Sequence, residues 1–292
     1  MSLRDVKQVM AEVPTLLQLG KELKPRPMTD RDCFAVRVQS TAKRFGHCTA
    51  IIFEGREVSW EALNAHANRY ANSLKGLGLV RGDTVSVLME NRIEFLVAII
   101  ALNKLGVTSA LVNTNLTGRP LRHCIKITDS RMCIVGEERV DAIDEVRSEK
   151  DLSDIEEYLF VPDTGLSPCP DWATDLEAHA SGNDEANLPE TDEVTLGDTA
   201  LYIFTSGTTG LPKASVLSNR RYLMAAALSY KGGLKCDEKD CIYLCLPLYH
   251  GTGLFLGFGA AINTGATMFI RRKFSASNFL SEVREHGATC FI

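Results

Sequence analysis

Short apolar runs alternate with longer stretches of helical periodicity along most of this chain, and that alternation limits the fold more than any single motif does. Candidate strands at 84–89, 107–112 and 131–135 are separated by candidate helices at 94–105 and 117–128. After an interruption the order resumes, with strands near 201–204, 242–246, 266–270 and 288–292 and helices near 219–232, 252–262 and 275–287. Parallel strands need a long crossover connection, usually a helix, so this order predicts an α/β fold of mostly parallel sheet covered by helices on both faces. With 292 residues, 45% of them hydrophobic, the chain can bury the core such a fold needs, as one large domain or two lobes.

Local signals mark some element ends. Ser59 can cap a helix whose apolar positions Trp60, Leu63, Ala67, Tyr70, Ala71, Leu74 and Leu77 follow helical spacing up to Gly78. Asn219 is expected to cap the helix that follows a strand at 214–218. The interruption at 137–198 holds 20 of the 37 Asp/Glu but only 3 of the 32 Lys/Arg, and it is punctuated by Pro162, Pro168, Pro170, Gly182 and Pro189. It reads as an acidic, solvated, loop-rich excursion.

The remainder of the chain is therefore net basic, which suits an anionic ligand, a membrane surface or nucleic acid. The interleaved basic and aromatic residues of a nucleic-acid binder are missing, and Arg271-Arg-Lys273 reads as a solvated strand end. Nine scattered cysteines without a Cys-x-x-Cys pair argue against a disulfide framework and a zinc knuckle, and point to a reducing cytoplasm. The first residues lack the apolar core of a signal peptide. Residues 1–30 instead form an arm, amphipathic over 6–23, that reads as a surface helix or as a peripheral membrane contact. The uncharged run at 246–270 carries Pro247, five glycines and Asn263, so a buried helix, a turn and a strand fit it better than a membrane span.

One segment carries chemistry. Tyr202-Ile-Phe-Thr-Ser-Gly-Thr-Thr-Gly-Leu-Pro-Lys213 sets hydroxyls, two glycines and a lysine directly after an apolar strand. Gly207 and Gly210 allow positive φ and close backbone approach, Thr205, Ser206, Thr208 and Thr209 supply donors, and Lys213 adds a mobile positive charge. That is a grip for phosphate. A Walker A loop is excluded, because it needs Gly-x-x-x-x-Gly-Lys-Ser/Thr opening into a helix, whereas here the glycines are three apart and a second strand follows.

With this segment, the following Leu246-Pro-Leu-Tyr-His250 and the α/β alternation, the chain resembles the acyl-adenylate-forming (AMP-binding) enzymes. The resemblance runs over nearly the whole of 31–292, which matches part of the large N-terminal domain of the acyl-CoA synthetase fold. The stretches Val112-Asn-Thr-Asn-Leu-Thr-Gly-Arg-Pro-Leu-Arg-His-Cys-Ile125 and Lys273-Phe-Ser-Ala-Ser-Asn-Phe279 are similar to the fatty acid transport protein and very-long-chain acyl-CoA synthetase branch.

The resemblance implies a ligase that activates long or very long fatty acids with ATP, through an acyl-adenylate, and passes the acyl group to CoA. It assigns Thr205, Ser206, Gly207, Thr208, Thr209, Gly210 and Lys213 to the ATP phosphates and Thr205 also to Mg²⁺. His250 falls beside the reacting carboxylate, and Tyr249 and Gly251 fall at the acyl pocket. The glycines that follow His250 either open room for an acyl chain or allow close helix packing. The later motifs of the family, among them Tyr-Gly-x-Thr-Glu and the C-terminal adenylation lysine, do not occur, and the chain stops in an apolar strand. We therefore expect an N-terminal portion of the enzyme. Two alternatives stay open at this stage: a non-catalytic binder of lipid or nucleotide, and an adenylating ligase for another carboxylic acid.

Overall fold

The computed structural model describes residues 12–15, 17, 19–21, 23–206 and 210–292. Half of the segment 6–23, and Gly207, Thr208 and Thr209 of the glycine-rich loop, lie outside these. In chain order the elements are α1 (Phe34–Phe45), β1 (Thr49–Phe53), β2 (Arg56–Ser59), α2 (Trp60–Gly76), β3 (Thr84–Leu88), α3 (Ile93–Lys104), β4 (Thr108–Leu111), α4 (Gly118–Ile127) and β5 (Met132–Gly136). There follow α5 (Val140–Asp144), β6 (Glu157–Val161), β7 (Thr174–Asp175), α6 (Leu176–Ala180), β8 (Thr199–Thr205), β9 (Lys213–Ser218) and α7 (Asn219–Ala227). The last are β10 (Cys241–Leu244), α8 (Gly259–Thr264), β11 (Thr267–Ile270), α9 (Ala276–Glu285) and β12 (Cys290–Phe291).

Two sheets result. A seven-stranded sheet runs β7-β6-β5-β3-β4-β8-β9 and a five-stranded one β12-β10-β11-β1-β2. Within them only β8–β9 and β1–β2 pair antiparallel. The mostly parallel α/β arrangement expected from the alternation is what forms. Helix α3 lies in the core, with all twelve of its residues buried. It is apolar nearly all round, as a helix enclosed on every side must be, and each fully buried Leu, Ile or Phe contributes about 1.5–3 kcal/mol.

The charged ends of α3 are buried with it. At its start, Glu94 pairs with Arg56. At its end, Lys104 is wholly buried and its ammonium donates to Asn64 Oδ1 at 2.9 Å. Burial pulls the Lys104 pKa down from 10.5 to about 7.

Several expectations are corrected. The hairpin β1–β2 and helix α1 have weak sequence signals: the hairpin turns on Glu54-Gly55, both at positive φ, rather than on Asn-Gly. The acidic stretch 137–198 is more ordered than its composition suggests, since it supplies β6 and β7 to the larger sheet. Inside it Glu137 organises a turn. Burial alone would raise its carboxyl, but backbone N–H groups of Asp163, Ser167, Gly165 and Leu166 outweigh that and hold it at about 2.

Ser218, not Asn219, caps α7, its extended backbone letting Oγ accept from Arg221 N at 3.4 Å. Asn219 is the first helical residue, and its buried side chain accepts from Asn103 and donates to the Thr195 carbonyl. Two predicted helices also change pitch. Helix α7 runs into a π-helical turn at Leu228–Gly233, and another at Thr252–Phe258 precedes α8. Tyr222 OH donates to the Leu254 carbonyl and Ser229 Oγ to that of Leu256, drawing off acceptors an α-helical ladder would use.

Arg271-Arg-Lys273 is not a solvated strand end. Arg272 bridges Glu54 and Asp163 and stacks over Phe53, and Arg271 pairs with Glu282, leaving only Lys273 exposed. The buried cysteines are inert filler: burial pushes Cys33, Cys124 and Cys133 up to about 12, and Cys236 and Cys241 to about 11.

Candidate active site

The two sheets meet at the carboxyl ends of their parallel strands. The chain leaves β3 toward β4 on one side and then crosses through α4 to β5 on the other, which makes the ends of β3 and β4 a topological switch point. Asn91, just past β3, donates to the carbonyls of Leu246 and Arg271 and accepts from Leu248 N at 2.8 Å. That one amide fastens the turns after β10 and β11 to the larger sheet.

On one side of this junction stands the phosphate-loop candidate. Strands β8 and β9 form an antiparallel ladder, with Thr205 opposite Lys213, so the loop is the tip of a strand-loop-strand clamp. Thr205, Ser206 and Lys213 are exposed at its mouth. Among the described residues Thr205 Oγ1 makes one long bond, 3.5 Å, to the Lys213 carbonyl. Gly210 takes φ +85°, and a Cβ there would meet nothing. The clamp is braced from beside: His123 Nε2 donates to the Pro212 carbonyl at 3.1 Å.

On the other side Tyr249 and His250 follow β10. Tyr249 is 8% exposed, packed into the main core, and its hydroxyl accepts from Asn115 Nδ2 at 3.4 Å. His250 is exposed, its ring 4.8 Å from that of Tyr249. Its backbone begins the helical segment, with its carbonyl accepting from Leu254 N. The Gly251 Cα faces the Phe255 ring, where a Cβ would come within 2.9 Å.

The structure thus groups Thr205, Ser206 and Lys213 on one wall and Tyr249, His250 and Gly251 on another, with no direct bond between the walls among the described residues. The segment between β4 and the end of α4 touches both, through Asn115 on Tyr249 and His123 on Pro212. Sequence reading did not single out Asn91, Asn115 or His123. Two of them lie inside 112–125, the segment noticed only for its likeness to one family branch.

Among the described residues no three His, Cys, Asp or Glu side chains converge on a metal site. The chain's own offering to Mg²⁺ would be the Thr205 hydroxyl, which suits an ion that takes its other ligands from substrate phosphates and water.

Residues 38–292 match the AMP-binding enzyme family. The chain belongs to that family. It is 32% identical over 291 residues to the medium/long-chain-fatty-acid–CoA ligase FadD6 of Mycobacterium tuberculosis, covering 98% of this chain and 46% of that protein. It is 36% identical over 245 residues to long-chain fatty acid transport protein 6 of Mus musculus, covering 82% and 38%. Among solved structures, the anthranilate CoA ligase AuaEII in complex with anthranoyl-AMP superposes with a TM-score of 0.82 at 21% identity, over 91% of this chain and 50% of that one. The fold is that of the N-terminal domain of acyl-CoA ligases. The chain spans less than half the length of these two curated relatives.

Proposed function

We propose that this chain supplies the phosphate grip and one wall of the acyl site of an AMP-forming ligase that converts long or very long fatty acids to acyl-CoA. The observation that carries this reading is the β8–β9 clamp, which sets Thr205 and Lys213 side by side at a strand end in an AMP-binding enzyme whose relatives are named for fatty acids.

In the first step a carboxylate oxygen attacks the α-phosphorus of ATP, the bond to the β-phosphate oxygen breaks, and pyrophosphate leaves with acyl-adenylate formed. In the second the CoA thiolate attacks the acyl carbon, AMP leaves, and a thioester results. Charge builds on phosphate oxygens in the first step, and donors already in place stabilise it at little cost in reorganisation. Thr205, Ser206, Gly207, Thr208, Thr209 and Gly210 wrap the β and γ phosphates, and Lys213 neutralises them or holds the loop closed. Bound Mg²⁺ supplies further neutralisation of the phosphate charge. His250, exposed and in contact with the Tyr249 ring, hydrogen-bonds the carboxylate as its charge changes. Tyr249 and Gly251 border the acyl chain. Among the described residues no helix is long and apolar enough to cross a membrane. We place the protein in the cytoplasm with peripheral contact to a membrane, where its apolar substrate resides.

The test is pyrophosphate release from ATP in the presence of palmitate and CoA, by the protein expressed from its complete reading frame. Release that depends on palmitate and falls at least tenfold in Lys213→Ala supports the assignment. Release indifferent to fatty acid, or ATP binding without turnover, overturns it in favour of another carboxylic acid or of a non-catalytic binder.

A further inference from the structure

At the far end of β8 from the clamp, a cavity of about 80 Å³ opens between the N-terminal segment, α1 and α7. Its wall carries Lys21, Lys24, Arg26, Arg37 and Arg220, one side of it is apolar, and among the described residues no carboxylate lines it. Arg26 and Arg37 both donate to Asp32, a nearly buried carboxylate behind them, and Arg26 donates also to Asp30 at 3.1 Å. Lys21 and Lys24 form no ion pair with any described residue, and the Arg220 guanidinium reaches only the Met28 sulfur at 3.7 Å. Five cations from three separate parts of the chain therefore converge on a space the size of one phosphate group, against two described carboxylates, Asp30 and Asp32. Gathering like charges without an anion is unfavourable, and guanidinium groups offer the fork of donors that phosphate oxygens accept.

The cavity is separate from the clamp. Leu196 in its wall precedes β8, and Arg220 follows Ser218, which pairs with Thr199 at the start of that strand. Thr205 and Lys213 pair at the other end. Seven strand residues at about 3.3 Å each put roughly 20 Å between them.

We propose that this cavity binds a phosphate-bearing anion, free or as the head group of a lipid, and that the anion fastens the N-terminal segment to α1 and α7. Two probes separate the sources: inorganic phosphate, followed by calorimetry and by protection of the N-terminal segment from protease, and vesicles of phosphatidylglycerol against phosphatidylcholine, followed by co-sedimentation. Lys24→Glu/Arg220→Glu is the site variant and Lys213→Ala the clamp control, each checked for folding by circular dichroism; Lys24→Gln/Arg220→Gln stands in if charge reversal prevents folding.

Binding of either probe that persists in Lys213→Ala and weakens tenfold or more in the site variant supports the site. The probe that binds then names the source. No binding of either probe by the unmodified protein, equal binding by the site variant, or loss in Lys213→Ala overturns it. None of these outcomes depends on fatty acid turnover, so the ligase assignment stands or falls separately.

Discussion

The clamp loop and the segment that follows His250 are both rich in glycine, yet the residue serves opposite ends in the two. In the loop, Gly210 sits at positive φ with open space where a Cβ would be. It is there for backbone freedom. After His250 the glycines face contact. A Cβ on Gly253 would lie 2.8 Å from the Pro247 carbonyl oxygen, on Gly257 2.7 Å from Leu244, and on Gly259 2.8 Å from the Ala226 Cβ. Of the two roles offered, room for an acyl chain and close packing, the contacts of Gly253, Gly257 and Gly259 favour packing, while Gly251 keeps its proposed place at the acyl chain. Glycine enrichment near a binding site is therefore not in itself a sign of ligand space; what surrounds each missing Cβ decides.

The contrast can be broken most sharply at Gly253. Gly253→Ala pushes a methyl group against backbone that cannot turn aside, and should lower stability by about 2–3 kcal/mol, read as a lower urea midpoint at unchanged slope. An unchanged midpoint would show that the segment has slack and would return the acyl-room reading.

Next in size is the cost held inside the packed half at Lys104. Its pKa is lower folded, about 7, than unfolded, 10.5, so between those values the unfolded chain binds more protons and stability climbs with pH. Below about pH 7 the penalty is present in full. Lys104→Met should raise stability at pH 6–7 by on the order of 1–2 kcal/mol and flatten the climb above it, as seen in denaturation at several pH values. A variant less stable at every pH would mean that the Asn64 bond outweighs burial.

In the open half, Gly210→Ala meets no neighbour but forces an alanine to positive φ, a strain of about 1 kcal/mol. Gly210 is exposed, so we expect ATP affinity to fall more than the unfolding temperature does, and calorimetry with ATP beside a thermal melt compares them. Smallest is Lys213→Ala, which should change stability by less than about 0.5 kcal/mol, because the side chain is exposed. A larger loss would make Lys213 a structural residue of the clamp.

Legibility followed the range of the interactions. Ser59 caps α2 by accepting from Ala62 N, and the strand-loop-strand form of 202–213 could be read directly, because each depends on residues a few positions apart. The strands 84–88, 108–111 and 132–136 were found for the same reason. Misreadings came where a distant partner intervened. Arg272 looked like a solvated charge until Glu54 and Asp163 were brought to it, and Asn219 looked like a cap until Asn103 claimed its side chain. Strands β6 and β7 were hidden because their neighbours in sequence are acidic, while their neighbours in space are β5 and each other.

The sequence by itself determined the α/β class, the succession of parallel strands, the clamp and the likeness to adenylate-forming enzymes, since periodicity, capping and motif spacing are local properties of a chain. Only the tertiary structure decided that β1 pairs with β11, that Asn91 joins the two sheets, that the segment 112–125 touches both Tyr249 and Pro212, and which glycines are free and which are pressed. Those choices depend on residues as far apart as Ile51 and Met268, and no local pattern encodes which distant surface will fill the space beside a given backbone.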